Sequence, residues 1–195
     1  EQQNLTGGDG NDTYVFAHVW KSPTVIETET GGTGDTLSFK NGLHTGITAD
    51  IYSSVAATGP KGVQVSETGV ATNLIQNAAF IEKIAGGDDP NFYRFHDDWG
   101  YLPSTSAHPE TTFTVDNSLA GNTSGTLDFS AVTHNLEFVL EAGGKVTVTA
   151  RVSKTVGGST KTYLYKVVAN DISDIVGGKG VNTYRINSNA ALKGR

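Results

Sequence analysis

Three times along the chain a Gly-Gly pair introduces a short polar run that ends in an aromatic-apolar alternation. The copies read Leu5-Thr-Gly-Gly-Asp-Gly-Asn-Asp-Thr-Tyr-Val-Phe16, Ile84-Ala-Gly-Gly-Asp-Asp-Pro-Asn-Phe-Tyr-Arg-Phe95 and Ile175-Val-Gly-Gly-Lys-Gly-Val-Asn-Thr-Tyr-Arg-Ile186. Glycine enters the left-handed backbone region without steric cost, so each copy predicts a sharp turn feeding a new extended segment. A second pattern lies between the turns. Thr36-Leu37-Ser38-Phe39 matches Thr126-Leu127-Asp128-Phe129, residues 47–51 match 136–140, and 62–66 match 145–149. Several elements recurring in one order imply a repeat of roughly 80–90 residues, present about twice. The units are residues 1–93, with a glycine turn at 7–15, and residues 94–195, which open on an irregular loop at 94–112. The second unit closes on a third, degenerate glycine turn at 177–185.

The segments between turns read as strands. Val63 and Val65, Val146 and Val148, Tyr14 and Phe16, and Tyr93 and Phe95 all alternate with other residues at the period of a half-buried strand. No segment carries a convincing helical period, and residues 73–84, the nearest candidate, read as mostly extended. Abundant glycine, 24 residues against 5 prolines, opposes long helices and suits short strands with tight turns. The expected fold is all-β, a parallel β-solenoid of the β-helix or β-roll kind. Leu37, Ile84, Leu127 and Ile175 would point inward as a ladder. Tandem β-sandwich repeats are the alternative, because a unit of this length also suits a sandwich domain.

The first turn carries the clearest chemistry. Gly7-Gly8-Asp9-Gly10-Asn11-Asp12-Thr13-Tyr14-Val15 fits the nonapeptide G-G-x-G-x-D-x-U-x, in which U is a large apolar residue. Glycines let the backbone bend so that several carbonyl oxygens converge. Ca²⁺ takes six to eight hard oxygen ligands, so carbonyls with one or two carboxylates suit it. Asp12 supplies the charge, and Tyr14 anchors the turn in the core. With this motif the chain resembles the RTX, or hemolysin-type calcium-binding, family. The resemblance covers about nine residues per copy and the strand pattern around them. It implies a Ca²⁺ held between turns of adjacent coils, with Asp12 as carboxylate ligand and backbone oxygens from Gly7, Asp9 and Asn11. The partner turn it implies is Gly31-Gly-Thr-Gly-Asp35, with Gly32, Gly34 and Asp35 at the ion; its Asp stands one place early. Tandem nonapeptides, usual in the toxins of that family, are missing. Single nonapeptides spaced by long β segments look more like giant, adhesin-like bacterial surface proteins.

The other two copies lose charge in steps. The second has Asp88, Asp89 and Asn91 as its candidate ligands. The third keeps no carboxylate and places Lys179 where the first has Asp9, so an ammonium would take the place of the ion. Within 94–112 stand His96, Asp97, Asp98, Trp99, Tyr101 and His108. Carboxylates beside His can hold a metal or move protons. Trp99 and Tyr101 would stack on sugar rings if the chain were a carbohydrate-binding module of an extracellular polysaccharide-active enzyme. No nucleophile elbow, phosphate loop or zinc spacing is present, so the chain is expected not to be an enzyme.

A formal net charge of −6, with scattered lysines, disfavours nucleic acid as a partner. No apolar run approaches the roughly 20 residues a membrane helix needs. Cysteine is absent, so no disulfide can staple a lean core, and calcium is the staple available outside the cell. Without Met at its start the chain is expected to be a segment of a longer secreted product. These readings converge on a calcium-binding structural or adhesive module, extracellular or on a bacterial cell surface. Its expected partners are neighbouring repeats or other copies end to end, and glycans or another cell surface.

Overall fold

In β9 (Asn91–Gly100) the buried Asn91, Tyr93 and Phe95 alternate with half-buried Phe92, Arg94 and His96, and the same two-residue period organises most of the chain. A computed structural model describes residues 3–29, 32–40, 45–56, 58–88, 90–100, 109–118, 124–156 and 158–192. The described residues form an all-β molecule whose one helical element is a short 3-10 turn at Ala142–Gly144. The strands before β9 are β1 (Asn4–Thr6), β2 (Thr13–Val15), β3 (Thr24–Ile26), β4 (Thr36–Ser38), β5 (Ile47–Ser53), β6 (Val63–Glu67), β7 (Val70–Ala78) and β8 (Lys83–Ala85). After it come β10 (Glu110–Asp116), β11 (Gly125–Asp128), β12 (Leu136–Glu141), β13 (Lys145–Val156), β14 (Ser159–Asn170), β15 (Asp174–Val176) and β16 (Asn182–Ile186).

Two large mixed sheets and one small parallel pair result. One large sheet has the order β16-β12-β13-β14-β10-β8-β4-β2, the other β15-β11-β9-β5-β6-β7, and β1 pairs with β3. Pairing between successive passes of the chain is parallel. Tyr14 lies opposite Leu37, Leu37 opposite Ile84 and Ile84 opposite Val115. In the second sheet Ala49 aligns with Tyr93, Tyr93 with Leu127 and Leu127 with Ile175. Period-two alternation fixes this register, since a one-residue slip would turn each apolar set outward. Among the described residues antiparallel pairing is confined to the runs β5-β6-β7 and β12-β13-β14.

The aligned apolar residues form a continuous core that includes Leu37, Ile84, Val115, Tyr93 and Leu127. Aromatic rings stack from one pass to the next: Phe16 on Phe39 at 5.1 Å, Phe95 on Phe129 at 4.8 Å, and Phe138 on Tyr184 at 4.6 Å between centroids. Strands of both repeats share each large sheet, so the repeats are not two separate sandwiches. Three expectations need correction. The inward positions make two ladders: Leu37 and Ile84 lie in one sheet, Leu127 and Ile175 in the other. The antiparallel runs build much of both sheets, which a purely parallel arrangement would lack. Residues 94–112 are not one irregular loop, because β9 continues to Gly100 and β10 begins at Glu110, while residues 101–108 lie outside the described residues. Strand β9 runs on because Phe95 and Trp99 both find buried places in the core.

Candidate cation site

The first glycine turn delivers β2 next to β4, and this pairing sets Asp12 beside Asp35. The Asp12 amide donates to Asp35 Oδ1 at 2.7 Å, and the Thr36 amide donates to the Asp12 carbonyl at 2.9 Å. Gly8 and Gly10 hold φ of +113° and +103°, a bend that a side chain would strain. Asn11 Oδ1 accepts from the Thr33 amide at 3.1 Å and so ties this turn to the next. Glu27, immediately after β3, comes in from the third side and accepts a hydrogen bond from the Tyr14 hydroxyl.

One carboxylate oxygen from each of Asp12, Glu27 and Asp35 lies within 4.8 Å of the other two. Asp35 is fully buried and Glu27 is 8% exposed. Asp12 Oδ2, Glu27 Oε2 and Asp35 Oδ2 are buried and have no hydrogen-bond partner. Among the described residues no Lys, Arg or His forms an ion pair with any of them. Three unneutralised carboxylates converging out of water are strongly unfavourable unless a cation joins them. Gly7 leaves the space open. A Cβ there would stand 2.6 Å from both Asp12 Oδ2 and the Tyr14 hydroxyl. Oxygens bound to one Ca²⁺ at 2.3–2.6 Å sit no more than about 5 Å apart, so one ion can touch all three acids.

A fourth acid stands behind the cluster. Glu82 Oε2 accepts from the Asp35 amide at 2.9 Å, and the Asp35 carbonyl accepts from the amides of Glu82 and Lys83. Burial pushes the Glu82 carboxyl up to about 7, and the nearby charges of Asp35 and Glu27 add to this against the opposing Asp35 hydrogen bond. Burial, the hydrogen bond to Glu27 and the surrounding acids hold the Tyr14 hydroxyl far above the usual phenol range.

Of the residues anticipated from the sequence, the structure brings Asp12 and Asp35 together, and Gly7 forms one wall. Asp9 is exposed and its side chain takes no part. Gly32 and Gly34 allow close approach: a Cβ on Gly32 would strike the Gly10 carbonyl, and one on Gly34 would crowd the Asn11 amide. Glu27 and Glu82 fall outside the nonapeptide and went unrecognised; the signal that could have found them is their place in the repeat.

In the second turn Asn91 makes hydrogen bonds of its own. Its Oδ1 accepts from the Ile47 amide at 3.1 Å, and its Nδ2 donates to the Gly87 carbonyl at 3.0 Å and to Asn117 Oδ1 at 2.8 Å. Asp88 is half-buried and joins no cluster of acids among the described residues, whereas Asp89 lies outside them. In the third turn the expected ammonium stand-in does not occur, because the Lys179 side chain is exposed. Asn182 takes that role, its Nδ2 donating to the carbonyls of Gly178 at 2.8 Å and Gly180 at 3.2 Å.

The acids of β9 are otherwise engaged. Asp97 accepts from the Thr133 amide and hydroxyl, Asp98 pairs with Lys154 at 2.5 Å, and His96 Nε2 lies 2.9 Å from Asp50. Trp99 cannot stack on a sugar, because its ring is fully buried against Phe95, Phe129 and Tyr165. Tyr101 and His108 lie outside the described residues. Among the described residues no helix is long and apolar enough to cross a membrane. No family model, no curated protein and no solved structure matches this chain.

Proposed function

We propose that the chain is a calcium-binding structural repeat module of a secreted or cell-surface protein, in which one Ca²⁺ joins Asp12, Glu27 and Asp35. The observation that carries this reading is the convergence of three carboxylates, each with a buried and unpartnered oxygen, on a space kept open by Gly7. Calcium suits the set because it accepts irregular oxygen ligation, and backbone carbonyls and waters can complete the six to eight positions. Magnesium holds its waters and demands a small octahedron, so it substitutes poorly. Asp12 comes from one pass of the chain and Glu27 and Asp35 from the next, so the ion acts as a clamp between coils. In this reading the parallel registers belong to a β-solenoid interrupted by antiparallel excursions. An adhesive or spacing role follows from a calcium-stiffened repeat, and extracellular calcium is abundant enough to fill such a site.

The test is thermal melting with excess calcium and with chelator. An ion that binds only the folded chain adds about 2.7 kcal/mol at 100-fold saturation, which raises Tm by several degrees at this chain length. Equal melting of calcium-loaded and thoroughly stripped protein would remove the ion from the account. Magnesium at the same concentration should recover only a small part of the gain.

A further inference from the structure

The two glycine turns are built on the same plan, residue for residue, but with opposite electrostatics. Gly86 occupies the place of Gly7: a Cβ on it would strike the Tyr93 hydroxyl, Asn91 Nδ2 and Asn117 Oδ1, where one on Gly7 strikes the Tyr14 hydroxyl, Asp12 and Glu27. Tyr93 donates to Asn117 Oδ1 at 2.9 Å as Tyr14 donates to Glu27. Asn91 therefore stands for Asp12 and Asn117 for Glu27. Gly125 precedes Thr126-Leu127 as Asp35 precedes Thr36-Leu37. The Ser173 amide donates to the Gly125 carbonyl at 2.9 Å as the Glu82 amide donates to the Asp35 carbonyl at 3.1 Å. Every acid of the first site thus has a neutral counterpart in the second: Asn91, Asn117, Gly125 and Ser173.

The exchange leaves the two sites in different states of satisfaction. In the second, Asn117 and Asn91 are buried, at 0% and 1% exposure, against a buried Glu27 and a half-buried Asp12 in the first, yet their side-chain atoms find partners. Asn91 Nδ2 donates to Asn117 Oδ1, and Asn117 Nδ2 donates to the Asp171 carbonyl at 3.1 Å. In the first, an oxygen of each of Asp12, Glu27 and Asp35 is left without a donor. An amide carries its own donor and acceptor and can close such a space alone, whereas ionised carboxylates only accept. Changing one acid would leave the rest unbalanced; changing all four removes the charge together with the need for an ion.

We propose that the positions of Asp12, Glu27, Asp35 and Glu82 determine whether a glycine turn of this fold is closed by a divalent cation, and that the second turn, neutral at all four, is closed by hydrogen bonds and takes no ion. This rests on the calcium reading of the first turn. Its consequence is that calcium conditions the first passes of the chain while the region around the second turn holds without it.

The test uses the intact chain and calcium chloride as the probe. Calorimetric titration should give about one ion per chain for the wild type. A variant carrying Asp12→Asn, Glu27→Asn, Asp35→Gly and Glu82→Ser should bind none, and in chelator it should melt above the wild type in chelator. The reciprocal variant, Asn91→Asp, Asn117→Glu, Gly125→Asp and Ser173→Glu, should bind about two. Hydrogen exchange on the wild type gives a readout that needs no variant. Calcium should slow the Asp12 and Thr36 amides at least tenfold more than it slows those of Ile47 and Asn91. Calcium binding with equal protection at both turns, or a neutralised first site that melts no higher than the wild type in chelator, would overturn the inference while leaving the calcium reading in place. No binding to the wild type at all would instead overturn the calcium reading itself.

Discussion

A buried carboxylate oxygen without a donor costs several kcal/mol, and one space in this molecule collects three of them. The cost disappears if the oxygens are ligands, which makes their substitution informative. Asp12→Ala removes one ligand and one negative charge, so calcium affinity should fall by at least tenfold. Asn182→Ala, in the third turn, removes hydrogen bonds to the carbonyls of Gly178 and Gly180 but no carboxylate, so affinity should stay within about twofold. Calorimetric titration of the two variants side by side distinguishes them, and equal losses would mean that the site has been assigned to the wrong turn. Gly7→Ala should imitate Asp12→Ala, since the added methyl enters the space between Asp12, Glu27 and the Tyr14 hydroxyl. Asp12 and Asp35 were legible in the sequence because glycine turns announce them. Glu27 was not, since it follows an ordinary strand and enters the site only through the pairing of β1 with β3 and of β2 with β4. Comparing it with Asn117 one repeat later would have marked the position.

Strands hold one another by register, and charge pins register where strands end. Asp116, at the end of β10, lies 2.8 Å from Lys40 just beyond β4 and 3.8 Å from Lys83 in β8. Burial alone would raise this carboxyl, but the hydrogen bonds from Lys40 and Ser118 outweigh it and hold Asp116 at about 2. A carboxyl depressed in the folded state stabilises it above the unfolded value near 4, and the contribution is lost as pH falls from there through about 2. The amount is on the order of 2 kcal/mol. Urea unfolding should show Asp116→Asn destabilised by about that amount at pH 7 and nearly equal to the wild type at pH 2. A pH-independent difference would show that packing, and not charge, ties these strands together. Alternation made most strands readable in advance, β9 among them from Tyr93 and Phe95. What alternation could not supply was partnership. The antiparallel pairing of β13 with both β12 and β14 depends on tertiary contacts that no local period encodes.

Across the whole molecule, each large sheet ends in edge strands. Among the described residues the outer strand β16 pairs only with β12, and it carries Tyr184 and Ile186 at 50% and 69% exposure, with Val181 beside it at 67%. At the opposite edge of the same sheet β2 exposes Val15. The tyrosines at the three turns differ in their surroundings. The hydroxyls of Tyr14 and Tyr93 donate to Glu27 and Asn117, residues of the following pass, whereas Tyr184 stacks on Phe138 and its hydroxyl finds no partner among the described residues. An unpaired, apolar strand edge is a template for another strand. The β16 edge and the β2 edge are different surfaces, so contact between them is head-to-tail and need not close into a ring. Light scattering over a concentration series should therefore show mass rising with concentration. Ile186→Lys should suppress the rise by placing a charge on the edge, without lowering Tm, because Ile186 is already exposed. Calcium should strengthen association if β2 is the receiving edge, since the ion fixes the turn that leads into β2, and chelator should weaken it. A species that stays monomeric at every concentration, with and without calcium, would show that both edges are protected as they stand and that the molecule is complete without a neighbour.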